Sequence, residues 1–142
     1  MTGLCWAGRG VLLAVLLAGA SCCDIRSRRV PNCYSVGILV LALFTSDIGK
    51  WWGIFIALPF FIAALTIGGI GGADIKIMGA AGMVLGFLEG ILAMVLGLSG
   101  MLMFHMAKCL LQKGEKKEKS YPLVPFLAVG IMLIYMIRQP GQ

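Results

Sequence analysis

The chain has 142 residues, of which 60% are hydrophobic and 13% are charged, and its mean hydropathy is +0.97. A soluble domain usually has about 25% charged residues, and one of this size could not bury so much apolar surface. The composition excludes a soluble globular protein and predicts one domain, residues 1–142, of an all-α integral membrane protein. In such a protein the net charge of +6 is typical of basic loops, and we expect no nucleic acid as a partner.

Stretches without charged residues predict about six transmembrane helices, some of them short or re-entrant. In chain order these are 10–23, 33–46, 51–73, 77–88, 90–107 and 120–137. A full crossing takes about 20 residues, so the second and fourth stretches are short for one. In an alternative count, residues 77–107 form a single long helix with Glu89 inside the membrane.

The first stretch has two interpretations. Arg9, an apolar core and the sequence "AGA" resemble a signal peptide with its cleavage site. Further hydrophobic segments follow at once, and Asp24 lies directly after the stretch. We therefore favour a retained first helix.

Basic residues indicate the orientation of the chain. With six helices, the loops 24–32, 71–76 and 108–121 lie on one side and contain nine of the 12 lysines and arginines. Basic residues concentrate in cytoplasmic loops, so this side is predicted to be cytoplasmic. The single long helix would move the Lys-rich loop to the other side, which favours the six-helix count. Both counts leave Asp24 and Asp74 on the same face.

Two aspartates are the candidates for chemistry. Asp24 opens the segment "DIRSRRVPN", and Asp74 lies in "GGADIK" between the third and fourth predicted helices. If the two meet at a membrane boundary, repulsion makes it costly to ionise both, so the pair holds one proton. One acid can then activate a water while the other protonates a carbonyl oxygen, as in aspartic proteases. Gly71 and Gly72 have no side chains to block an extended peptide there.

These residues also have structural interpretations. Asp74 could pair with Lys76 or cap the next helix, Asp24 could compensate the neighbouring arginines, and the glycines could be helix-packing surfaces. The five cysteines have neither a CxxC pair nor the Cys/His spacing of a zinc site, so we expect no metal and no cofactor. His105 has no acid near it in sequence, and we interpret it as a packing or interfacial residue. The residues alone leave both interpretations of the aspartates open.

Three segments resemble segments of the type IV prepilin peptidases, which are GxGD-type intramembrane aspartic proteases. The three occur in the same order as in that family. They are "DIRSRRVPN", "GGADIKIMGAAG" and "YPLVPFLAVG", and the resemblance covers essentially the whole chain. It implies that Asp24 and Asp74 are the catalytic pair, although Ala73 stands where the GxGD formula has glycine. It also implies supporting motif residues and structural residues at turns and helix starts. The supporting residues are Gly71, Gly72 and Lys76, and the structural ones are Pro31, Asn32, Pro122 and Pro125.

The resemblance implies removal of a short basic leader from a Flp-type prepilin, at the cytoplasmic face of the inner membrane. The expected partners are the prepilin and the lipid bilayer, and nothing in the sequence indicates an oligomeric state. Bifunctional members have a long cytosolic region with paired CxxC motifs for N-methylation. Here the corresponding loop is residues 24–32, without CxxC, which indicates the peptidase-only branch. The alternatives are a small proton- or ion-coupled transporter and a structural component of pilus assembly.

Overall fold

The fold is helical throughout the part of the chain that the computed structural model describes, residues 3–27, 29–44, 48–66, 71–111 and 122–138. Six α-helices follow one another, and a 3-10 helix, Ile48–Ile56, leads directly into the third of them. The α-helices are α1 Gly3–Ser27, α2 Asn32–Leu43, α3 Ala57–Thr66, α4 Gly72–Leu85, α5 Phe87–Leu111 and α6 Val124–Ile137. The predicted all-α class is confirmed.

Three helical segments are long and apolar enough to cross a membrane. They are Gly3–Ser27, Gly49–Thr66, which joins most of the 3-10 helix to α3, and Phe87–Leu111. The apolar helices α2 and α6 are shorter, with 12 and 14 residues. Fourteen residues of α-helix rise about 21 Å, less than the hydrocarbon core of about 30 Å. The expectation that some of the helices are short is therefore met.

Several predicted helix boundaries need correction. Helix α1 continues through Ser27, so Asp24 lies inside the helix and not after it. Asp74 lies in the first turn of α4 and not in the turn before it. Gly86 separates α4 from α5 with a φ of +106°, a conformation that favours glycine, so the single helix 77–107 is wrong. Five basic residues of the predicted cytoplasmic loops lie outside the described residues: Arg28, Lys113, Lys116, Lys117 and Lys119.

Helix α4 forms the centre of the bundle. Every residue from Ile77 to Leu85 is buried, and α4 contacts α2, α3, α5, α6 and the 3-10 helix. Its middle is made of small residues, "GAAG" at 79–82, which allow neighbouring backbones to approach closely. Gly82 faces Gly53 of the 3-10 helix, and a Cβ on either glycine would overlap the backbone of the other. The central helix is thus packed against its neighbour backbone to backbone.

Helix α6 is held at its C-terminal end by polar contacts. The Tyr135 hydroxyl donates to the Trp6 carbonyl oxygen at 2.9 Å, and the two rings stack with centroids 5.3 Å apart. The Arg138 guanidinium donates to the Leu85 carbonyl oxygen and pairs with Glu89, which lies in the first turn of α5. These contacts join α6 to α1 and to the α4–α5 turn, and so fix where the other end of α6 lies.

The contact between Gly82 and Gly53 makes a stability prediction. We expect Gly82→Ala to lower the free energy of unfolding by about 1–3 kcal/mol, because the added methyl group has no space between two backbones. Thermal or denaturant unfolding in mild detergent measures the change. The matched control is Gly8→Ala in α1, where an added Cβ meets no atom within 4 Å and stability should stay equal or rise slightly. Equal stability of the two variants would contradict the packing described for α4.

Candidate active site

Asp24 is positioned by the first turn of α6. Its Oδ2 accepts a hydrogen bond from the backbone N–H of Val124, 100 residues away, at 3.2 Å. Pro125 has no N–H, and the N–H groups of Phe126 and Leu127 both donate to the Leu123 carbonyl oxygen. The Val124 N–H is therefore the donor that this turn leaves for a partner outside the helix. The positive end of a helix also favours a carboxylate at this point.

Asp74 is a buried acid, with 8% of its surface exposed. It lies in the first turn of α4, outside the three segments that are long enough to cross a membrane, and its backbone N–H donates to the Gly71 carbonyl oxygen at 3.0 Å. The pKa of Asp74 is raised from 3.8 to about 6, mainly by burial and also by the charge of Asp24, while a hydrogen bond with the Gly71 backbone offsets part of the rise. Asp24 and Asp74 are thus close enough to interact electrostatically.

The predicted partner of Asp74, Lys76, bonds elsewhere. Its Nζ donates to Asn32 Oδ1 at 2.9 Å, which ties the start of α4 to the start of α2. The N-cap of α4 is Gly71, and no side chain caps that helix, so Asp74 is not a capping residue either. The first turn of a helix does favour a negative charge, so this part of the structural interpretation applies to Asp74. Within the described residues, neither a Lys76 ion pair nor a cap accounts for a buried carboxylate at this position.

The two motif glycines differ in what they do. A Cβ on Gly71 would lie 3.4 Å from Asp74 Oδ2, at ordinary van der Waals contact with the carboxyl group. A Cβ on Gly72 would meet no described atom within 4 Å, and the structure gives no spatial reason for that glycine. Of the two glycines, Gly71 is therefore the one that lies next to the Asp74 carboxyl group.

The prolines of the motifs have local structural roles. Pro31 is the N-cap of α2, with extended backbone angles, and Pro125 is in the first turn of α6. Pro122 precedes that helix by two residues. The residue that sequence reasoning missed is Val124, whose contribution is a backbone N–H. The signal for it was present, because two prolines flanking "LV" leave few backbone donors at the start of a helix.

Within the described ranges, no group of three or more His, Cys, Asp or Glu residues could hold a metal ion. The arrangement is a carboxylate oriented by a backbone donor, next to a buried carboxyl group with a raised pKa. Two such groups can hold one proton between them and exchange it with a water or a carbonyl oxygen.

Comparison with known proteins assigns the chain to a family. A model of the type IV leader peptidase family matches residues 11–137. The chain belongs to the type IV leader peptidase family. It is also similar to a Bacillus subtilis (strain 168) protein named "Prepilin leader peptidase/N-methyltransferase", with 28% identity over 143 residues. The match covers 89% of this chain and 54% of that relative, so the chain spans about half the relative's length. No solved structure matches the chain significantly.

The raised pKa of Asp74 predicts how stability depends on pH. The folded state binds the Asp74 proton more tightly than the unfolded state, so this contribution to stability is full below pH 4 and is lost as the pH rises to about 6. We expect Asp74→Asn, which cannot ionise, to raise the free energy of unfolding at pH 7 by about 1–2 kcal/mol. Unfolding in detergent at pH 4 and pH 7 measures the difference, which should shrink at pH 4. A variant less stable than wild type at pH 7 would contradict the burial of an ionisable Asp74.

Proposed function

We propose that the protein is an intramembrane aspartic endopeptidase that removes the short basic leader from a Flp-type prepilin. One observation carries the proposal: Asp24 and Asp74, fifty residues apart in sequence, interact at one end of the bundle in different surroundings. Membership of the type IV leader peptidase family supports the reaction class. The name of the Bacillus subtilis relative supports a prepilin as substrate. The proposal covers leader removal and does not extend to N-methylation.

The surroundings of the two acids suggest different roles. Asp74 is the buried group whose pKa is raised, so it holds the shared proton. Asp24 is then the carboxylate that accepts a proton from water, and the Val124 N–H on Oδ2 orients it for that step. The water oxygen attacks the carbonyl carbon of the scissile bond while Asp74 donates its proton to the carbonyl oxygen. Collapse of the tetrahedral intermediate breaks the C–N bond, the proton held by Asp24 passes to the leaving amine, and a hydroxyl proton of the intermediate returns to Asp74.

We further propose that this end of the bundle faces the cytoplasm at the inner membrane. Arg26, Arg29 and Lys76 lie close to the aspartates in sequence and at the same helix ends. Basic residues next to membrane helices favour the cytoplasmic side, where a basic leader would also lie. A transporter would place its ion-binding acids near the middle of the bilayer, often at broken helices. Asp24 and Asp74 instead lie in the last and first turns of their helices.

Leader removal by single variants tests the proposal. The protein is co-expressed in bacterial membranes with a Flp-type prepilin, and leader loss is measured by gel shift and mass spectrometry. We expect Asp24→Asn and Asp74→Asn each to lower the rate of cleavage at least about a hundredfold, because each removes one proton-transfer group. Ser99→Ala is the control, since it removes an exposed hydroxyl whose hydrogen bond to the Leu96 carbonyl oxygen stays within α5, and it should leave cleavage unchanged. Cleavage that survives either aspartate change would contradict the two-aspartate mechanism.

The proposed role of Asp74 predicts the pH dependence of cleavage. Asp74 acts while protonated, so kcat/KM should fall as the pH rises through about 6. Initial rates of leader removal in detergent, measured between pH 5 and pH 8 at low substrate concentration, give this profile. Wild-type protein kept at each pH and then assayed at pH 6 controls for inactivation. A profile that stays flat or rises between pH 6 and pH 8 would refute Asp74 as the proton donor.

A further inference from the structure

An open apolar groove runs along the bundle on the side of α4 that faces α2. It has a volume of about 450 Å³ and lies between α2, α4 and the junction of the 3-10 helix with α3. Its walls follow helical spacing, with Ser35, Val36 and Leu39 on α2 and Ala80 and Met83 on α4. Val36 and Leu39 are 54% and 37% exposed, so one side of the groove is open to an occupant from the membrane.

One end of the groove is polar and lies at the starts of α2 and α4. Asn32 and Lys76 lie there, joined by their hydrogen bond, and Ile75, the residue after Asp74, lines the same end. From Ile75 to Met83 the groove follows α4 for about 12 Å, or two helical turns. A chain that leaves this groove at its polar end therefore lies at the first turn of α4, the turn that also contains Asp74.

Charge complementarity and the floor of the groove indicate the occupant. Lys76 is the charged residue among the described residues that line the groove, and an ammonium group there favours a carboxylate on the occupant. The floor includes Gly79 and Ala80, small residues of the kind that let membrane helices approach one another closely. An apolar helix with an acidic side chain near its N-terminal end satisfies both the apolar walls and the cation.

We propose that this groove holds the apolar helix of the substrate, with an acidic residue in the first turns of that helix bound to Lys76. The proposal rests on the proposed function, because the chain that precedes such a helix is where the leader is cut. It assigns a specificity role to the groove: the seated helix sets which peptide bond reaches Asp24 and Asp74. A phospholipid, with an anionic headgroup and acyl chains, is the competing occupant.

Filling the groove tests this proposal by steady-state kinetics. We expect Leu39→Trp to raise KM for full-length prepilin about tenfold, with a smaller change in kcat, because the indole takes the space of the substrate helix. A soluble peptide that spans the cleavage site but lacks the helix should be cut equally by wild type and variant. Leu102→Trp is the matched control, since Leu102 is 63% exposed on α5, outside the groove. Equal KM values for the two tryptophan variants would overturn the proposal and leave the proposed function intact.

Photocross-linking gives a readout that does not depend on cleavage. A benzoylphenylalanine is placed at position 39 or at position 102 in the full chain carrying Asp74→Asn, in membranes that contain the prepilin. Cross-links from position 39 to the prepilin helix, and none from position 102, are expected even if no cleavage is seen with wild type. Cross-links from position 39 to phospholipid alone would overturn the proposal.

The charge pairing is tested by a double-mutant cycle. Lys76→Gln and an acid-to-amide change in the first turns of the substrate helix should each raise KM several-fold. Together they should raise it no further than either change alone, because both remove the same pair. Multiplicative effects would overturn the assignment of Lys76 to the substrate carboxylate.

Discussion

Burying a carboxyl group in an apolar bundle costs free energy unless the group is neutral or paired, and that constraint shapes one end of this protein. Asp74 is buried in the first turn of the central helix, and its described neighbours include Asp24 but no cation paired with it. Both features raise its pKa and favour its protonated form. The bundle thus keeps an acid that can carry a proton near neutral pH, at a cost in stability that an asparagine would avoid. Such a cost is typical of a site kept for chemistry.

The packing of the other helices determines which group contacts Asp24, the second acid of the site. Small residues let α4 lie in the centre against the 3-10 helix, while α6 is anchored at its C-terminal end by Tyr135 and Arg138. The opposite end of α6 then presents the Val124 N–H to Asp24. A backbone donor has a fixed direction once its helix is packed, so it orients a carboxylate without a flexible side chain. Contacts at both ends of α6 therefore bear on the geometry of the aspartate pair.

Hydropathy and charge were sufficient to predict the helical class and to single out Asp24 and Asp74 as candidates, whereas their catalytic interpretation came from the family resemblance. Helix ends were less accurate, because a span read from charge-free residues stops at Asp24, whereas the backbone hydrogen bonds of α1 continue through the charged turn. The helix is interrupted between α4 and α5 at Gly86, whose backbone adopts a positive φ, and not at the charged Glu89. The Val124 contact and the groove at Lys76 depend on how distant helices dock. A local sequence pattern does not predict such contacts between distant helices.

The central claim is that Asp24 and Asp74 form one electrostatically coupled pair. The most direct measurement is an infrared titration of the protonated carboxyl band of Asp74, assigned with Asp74→Asn, in wild type and in Asp24→Asn. The account predicts that Asp74 titrates near pH 6 in wild type and at a lower pH, still above 3.8, when Asp24 is neutralised, since burial persists and repulsion is removed. An Asp74 pKa that is unchanged by the loss of the Asp24 charge would contradict the pair.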